Sequence, residues 1–141
     1  MPWAAIISLF LSMALVGCGP RLVLSGQLTE RQGLYFLHGE KEPFSGTTVT
    51  RQADGSRQSV YTFQDGKKTG PFRKYADGRM SANGQLRDGK KDGLWWGYRS
   101  GGVVGSVTPY LAGVKHGREL EYSVGRNNYH PAGLTGVTHY S

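Results

Sequence analysis

Apolar residues follow two different patterns along this chain. From Trp3 to Val16 they run almost without a break, interrupted only by Ser8 and Ser12. These fourteen residues are too few for a membrane-spanning helix, which needs about 20, and suit the hydrophobic stretch of a secretory signal. Beyond Gly17 the run gives way to alternation: Met80, Ala82, Gly84 and Leu86 share one face of a strand, Leu94, Trp96 and Tyr98 one face of the next, and Leu120, Tyr122 and Val124 one face of another. After Gly17, no stretch free of Gly and Pro exceeds the ten residues from Ser56 to Asp65, which excludes a helical domain.

Turn residues divide the alternating region evenly. Gly55, Gly66, Gly78, Gly89, Gly101, Gly113 and Gly125 follow one another at intervals of 11 or 12 residues. Four are preceded by Asp, as Asp54-Gly55, Asp65-Gly66, Asp77-Gly78 and Asp88-Gly89, the dipeptide that most readily supplies the positive φ angles of a tight hairpin. The spacing predicts an all-β meander of seven or eight antiparallel strands over residues 34–125. Alternate turns share a G-x-K-x-G core at Gly66–Gly70, Gly89–Gly93 and Gly113–Gly117, so the expected repeat is a hairpin of about 23 residues. Tyr75, Tyr98 and Tyr122 each stand five residues after the second glycine of that core, and Phe72 and Trp95 two residues after it. A single hairpin cannot bury its own apolar face, so the hairpins are expected to stack edge to edge and line equivalent rings into columns.

The units Gly66-Lys67-Lys68-Thr69-Gly70-Pro71-Phe72-Arg73-Lys74-Tyr75-Ala76-Asp77-Gly78 and Gly89-Lys90-Lys91-Asp92-Gly93-Leu94-Trp95-Trp96-Gly97-Tyr98-Arg99-Ser100-Gly101 carry a family pattern. It resembles the MORN repeat, and more closely its second, bacterial variant, found in proteins often labelled antitoxin-like. The resemblance covers residues 36–125. It implies stacked β-hairpins that serve as binding and scaffolding surfaces.

The sole cysteine changes the picture of the leader. The apolar run ends in Leu15-Val16-Gly17-Cys18, which resembles the lipobox of bacterial lipoproteins, although Met1-Pro2 lacks the usual basic residue. That resemblance implies that Cys18 becomes the lipidated N-terminus, with enough acyl chains for stable anchoring. It further implies, with Gly19 in the next position, an outer-membrane location facing the periplasm in a Gram-negative cell. The expected organisation is a signal peptide at 1–17, a tether at 18–33, the repeat domain at 34–125 and a partly ordered tail at 126–141, whose Leu134 to Tyr140 could cap the last edge strand.

Charge and chemistry narrow the function. The net charge of +7 suits an acidic partner, but no cluster of five or more Lys or Arg points to nucleic acid, and none is expected. With Cys18 committed to lipid no thiol nucleophile remains, and His38, His116, His130 and His139 lack ligand spacing, so neither metal nor cofactor is expected. Asp54, Asp65, Asp77 and Asp88 each fall at their own turn and read as turn formers, not catalytic carboxylates. Trp95 and Trp96 face opposite sides of a strand, so one joins a ring column and the other is exposed. Arg73, Tyr75, Trp95, Trp96, Tyr98, Arg99 and Tyr122 are the candidate partner-binding residues, an aromatic stripe with basic neighbours.

These readings favour a membrane-anchored, non-enzymatic binding or scaffold module for a protein or cell-envelope polymer. An immunity or antitoxin-like protein and an envelope polysaccharide or peptidoglycan enzyme remain as alternatives. Cells fed an alkyne fatty acid are expected to label the wild-type chain and not Cys18→Ser. A secreted but unlabelled wild type would contradict the anchor.

Overall fold

The computed structural model describes residues 21–123 and 133–141; the leader 1–17, Cys18 and tail residues 126–132 lie outside them. The chain opens with β1 (Leu22–Leu24), one 3-10 turn (Ser25–Gln27), β2 (Leu28–Arg31) and β3 (Leu34–Leu37). It continues through β4 (Gly46–Arg51), β5 (Arg57–Gln64), β6 (Lys67–Ala76), β7 (Arg79–Arg87) and β8 (Lys90–Tyr98). The last strands are β9 (Val104–Leu111), β10 (Val114–Lys115), β11 (Gly117–Ser123) and β12 (Gly133–Tyr140). Ten of these form one sheet in the order β1-β4-β5-β6-β7-β8-β9-β11-β12, with β10 also paired to β9, while β2 and β3 form a separate hairpin. From β4 onward every pairing is antiparallel, so the all-β meander expected from the glycine spacing is the architecture of the protein.

Two features depart from the sequence reading. Residues 34–125 carry nine described strands, not seven or eight, because β10 is a separate two-residue strand. The supposed tether is structured: β1 pairs parallel to β4, Leu22 opposite Thr47 and Leu24 opposite Val49. A parallel neighbour requires a long crossover, and the 3-10 turn and the β2–β3 hairpin provide it. That hairpin turns on Gln32-Gly33, with φ of 52° and 76°, the two positive angles that Asp-Gly supplies elsewhere.

The tight turns are of one kind. Asp65-Gly66, Asp77-Gly78, Asp88-Gly89 and Ala112-Gly113 all hold two successive positive φ angles, the type I′ geometry whose twist matches that of the flanking strands. Asp54-Gly55 differs. Only Gly55 has positive φ there, and the Asp54 carboxylate accepts the Ser56 N–H in a longer turn. Along one end of the sheet the turns are tied together, because the N–H of Gly66, Gly89 and Gly113 donates to the carbonyl of Phe44, Lys68 and Lys91 respectively.

The core lies largely on one face. Phe72, Leu86 and Trp95 are buried there, with Tyr61 and Tyr110 packed against them. Ring centroids run 4.8 Å from Tyr61 to Phe72, 5.1 Å from Phe72 to Trp95 and 6.1 Å from Trp95 to Tyr110. At the corner beneath the β2–β3 hairpin, Phe63 packs on Tyr35 at 5.2 Å and Phe44 at 5.7 Å. The register sets Trp96, Val107, Leu120 and Val137 in one row across β8, β9, β11 and β12 on the opposite face.

Trp95 lies down on β7 because Gly84 has no side chain: a Cβ there would sit 2.5 Å from two atoms of the indole. Gly84→Ala is expected to destabilise the protein by about 1–3 kcal/mol, the usual cost of overpacking. A Cβ at Gly26 meets nothing within 4 Å, so Gly26→Ala should stay within about 0.5 kcal/mol of wild type. Urea melts of the two variants provide the comparison.

Candidate functional site

The G-x-K-x-G cores determine where cationic groups stand. In each, the first glycine closes a turn and the lysine two residues on is the second residue of a strand, so pleating sends its side chain to one fixed face. For Lys68 and Lys91 that is the ring face. The Lys68 ammonium sits 4.7 Å from the Tyr61 ring centre and 5.2 Å from that of Tyr35. The Lys91 ammonium sits 4.4 Å from the Trp95 ring and 4.6 Å from Tyr110. Each is positioned from behind as well, since its own carbonyl receives the N–H of the next turn. Lys67 and Lys90, one residue earlier, point to the other face by the same pleat.

Lys68, Lys74 and Lys91 border an open groove of about 700 Å³ whose floor includes Tyr61, Phe72, Leu86 and Trp95, with Gln58 and Ser59 at one side. Among the described residues, the ion pairs are Arg21–Glu40, Lys67–Asp88, Arg87–Asp92 and Lys115–Glu119, and none involves the three groove lysines. Three cations over an apolar floor with no carboxylate beside them form a surface prepared for negative charge.

The third core lysine is in a different state. Lys115 lies 4.8 Å from the Tyr140 ring, but its ammonium also donates to Glu119 Oε2 at 2.9 Å. Glu119 further accepts the Thr108 hydroxyl at 2.6 Å and the Tyr140 hydroxyl at 2.8 Å. These bonds, that of Thr108 foremost and that of Lys115 next, hold the Glu119 carboxyl down at about 2. The bond to Glu119, and then that to Tyr140, keeps Lys115 protonated well above the usual lysine range. The quartet ties β9, β10, β11 and β12 together and pairs the Lys115 charge.

Of the residues expected to form a binding stripe, Trp95 stands apart in the core, while Arg73, Trp96 and Tyr98 gather around Asn83 on the other face. Trp95 is 8% exposed and belongs to the core, its Nε1–H donating to the Gln85 carbonyl at 3.1 Å. Trp96 is the outward ring of the pair, 36% exposed, on the face away from the lysines. Arg73 shares that second face and the cross-strand row Arg73–Asn83–Trp96. Arg99 is exposed at the end of β8, and its stem runs close over Gly105, whose Cβ would lie 2.8 Å from Arg99 Cγ. Tyr75, Tyr98 and Tyr122 are each half-buried, Tyr98 donating to Asn83 Oδ1 at 3.2 Å. Among the described residues the ring column is Tyr61–Phe72–Trp95–Tyr110, without those three tyrosines. Tyr75 and Tyr98 stand three residues beyond Phe72 and Trp95, an odd step that pleating carries to the other face, and the extra residues at the irregularities beside them, Ser81 and Gly105, belong to the neighbouring strands β7 and β9. Cys18 lies outside the described residues. Sequence reasoning missed Lys68 and Lys91 as candidate site residues, although their place in the repeated core was the signal.

Fold and site together define a broad antiparallel meander with a lysine-edged aromatic groove on one face. The chain matches no family model, no curated protein and no solved structure.

The Glu119 interactions predict a pH dependence. Its carboxyl falls from an ordinary 4.5 to about 2 on folding, so the stabilisation is complete above the unfolded value and disappears as pH drops toward 2. Thermal melts should find Glu119→Gln less stable than wild type at neutral pH, the two converging between about pH 4.5 and 2. A gap that stays constant over that range would count against the assignment.

Proposed function

We propose that this chain is a non-enzymatic binding module, anchored in a bacterial envelope through Cys18, that holds an anionic partner in the lysine-edged groove. The observation that carries the reading is the set Lys68, Lys74 and Lys91, which borders an aromatic-floored groove without a neighbouring carboxylate. The resemblance of the glycine-lysine cores to MORN repeats of the second, bacterial variant supports a binding rather than a catalytic role. The partner is an acidic protein or an acidic polymer of the cell envelope.

The anchor fits the architecture. Gly19, Pro20 and Arg21 alone separate Cys18 from β1, a reach of about 10 Å at full extension. A lipid on Cys18 would therefore hold the β1 edge of the sheet near the bilayer. Leu22 and Leu24, 68% and 50% exposed on that edge strand, suit such a boundary. In a Gram-negative cell the module would face the periplasm from the outer membrane.

Two charge-matched double variants test the groove. Lys68→Gln/Lys91→Gln removes two cations from the ring face, and Lys67→Gln/Lys90→Gln removes two from the other. Binding to immobilised carboxylated polymers is expected to fall about tenfold or more in the first, since a hydrogen bond to a charged group contributes about 1.5–3 kcal/mol, and to change little in the second. Equal losses would show attraction by net charge alone and reject the site.

A further inference from the structure

We propose that the groove takes an acidic polysaccharide lying across the strands, with carboxylates on alternate sugars meeting Lys68 and Lys91. This rests on the anion-binding reading above and names its ligand.

Three observations carry it. First, Lys68 is on β6 and Lys91 on β8, with β7 between them. Strands lie about 4.8 Å apart, so the two lysines are separated across the sheet by roughly 10 Å. A β-linked hexose chain advances by about one strand spacing per sugar, so a charge on every second sugar meets a lysine on every second strand. Second, the rings of Tyr61, Phe72, Trp95 and Tyr110 are aligned in that same direction, from β5 to β9. Third, the backbone of β6, β7 and β8 is already paired on both sides within the sheet. An extended acidic peptide laid on this face would find no main-chain ladder, the source of affinity when a peptide adds to a sheet. A sugar chain needs none. Its hydroxyls can meet Gln58, Ser59 and the ammonium groups, and its carbon-bound hydrogens can lie against the groove floor.

Lys115 limits the site. It occupies the same place in its core, but its charge is matched by Glu119. The chain is therefore expected to engage two core lysines, with Lys74 beside them, and not three.

The test uses the detergent-solubilised full chain and isothermal titration calorimetry with four probes. These are a hyaluronan octasaccharide, an oligogalacturonate carrying a carboxylate on every sugar, a neutral chito-oligosaccharide and poly-L-glutamate. Hyaluronan is expected to bind more tightly than poly-L-glutamate or the neutral chain, and at least as tightly as oligogalacturonate. Its affinity should fall about tenfold or more in Lys68→Gln/Lys91→Gln and by less than about twofold in Lys67→Gln/Lys90→Gln. Lys91→Met keeps the apolar stem over Trp95 and should lose affinity with the melting temperature held, separating binding from folding. Poly-L-glutamate bound through Lys68 and Lys91 more tightly than hyaluronan would overturn the polysaccharide and leave the anionic groove standing. No probe depending on those lysines would overturn both readings.

Discussion

Among the described residues no second layer covers most of the ring-bearing face of the sheet, so its aromatic residues must bury one another. The β2–β3 hairpin packs at the corner of Tyr35, Phe44 and Phe63. Farther along, Phe72 and Trp95 are buried mainly by neighbouring rings, at an interplanar angle of 28°. A ring standing upright on an open sheet would leave both faces wet. Laid nearly flat, it gives one face to the strand below and its edges to the next ring, and the apolar area removed from water stabilises the sheet at about 25 cal/mol per Å². Lying flat requires a strand residue without a side chain beneath it, and Gly84 is that residue for Trp95. The upper face of each ring then needs a cover that tolerates water at its far end, which a lysine stem with a charged tip provides.

The lysine-edged groove thus grows out of the means by which the core is closed. Lys68 and Lys91 hold their ammonium groups over rings, so the cations are placed by the folded sheet itself. Rotamer freedom given up on folding is not given up again on binding, which favours even a modest number of polar interactions. The contrast with Lys115 defines the extent of the surface. At that end the sheet approaches its last strand, and the Glu119 quartet uses the cation to hold β9, β10, β11 and β12. A residue at one repeat position therefore borders the groove in the middle of the sheet and ties strands together at its end.

Much of this architecture was legible because turns and pleats are local. Asp65-Gly66, Asp77-Gly78 and Asp88-Gly89 announced I′ hairpins by composition, and the meander followed from their spacing. Ala112-Gly113 and Gln32-Gly33 adopt the same angles with weaker turn formers at the first position. The parallel pairing of β1 with β4 left no local mark, since it joins segments more than twenty residues apart whose partners are chosen by the folded sheet. The inward tryptophan was equally hidden. Alternation shows that Trp95 and Trp96 differ, but the choice between them depends on Gly84 across the strand, a non-local contact. The place of the tyrosines was legible: Tyr75 and Tyr98 stand three residues beyond Phe72 and Trp95, an odd step that keeps them out of the ring column.

Step parity explains which repeat-spaced residues share the groove face: Lys68 and Phe72 are four residues apart, as are Lys91 and Trp95, so each lysine and its ring stand on one side. Lys68 and Lys91 stand two residues from their turn glycines, ahead of any irregularity in their own strands, so the turn alone determines which face they take. Tyr75 and Tyr98 stand nine residues from the same glycines and seven beyond the lysines, an odd step that puts them on the other side of the sheet. In a meander of tight hairpins of equal length, repeat-equivalent residues therefore share a face, and the lysine next to each turn is the position whose face the turn alone fixes.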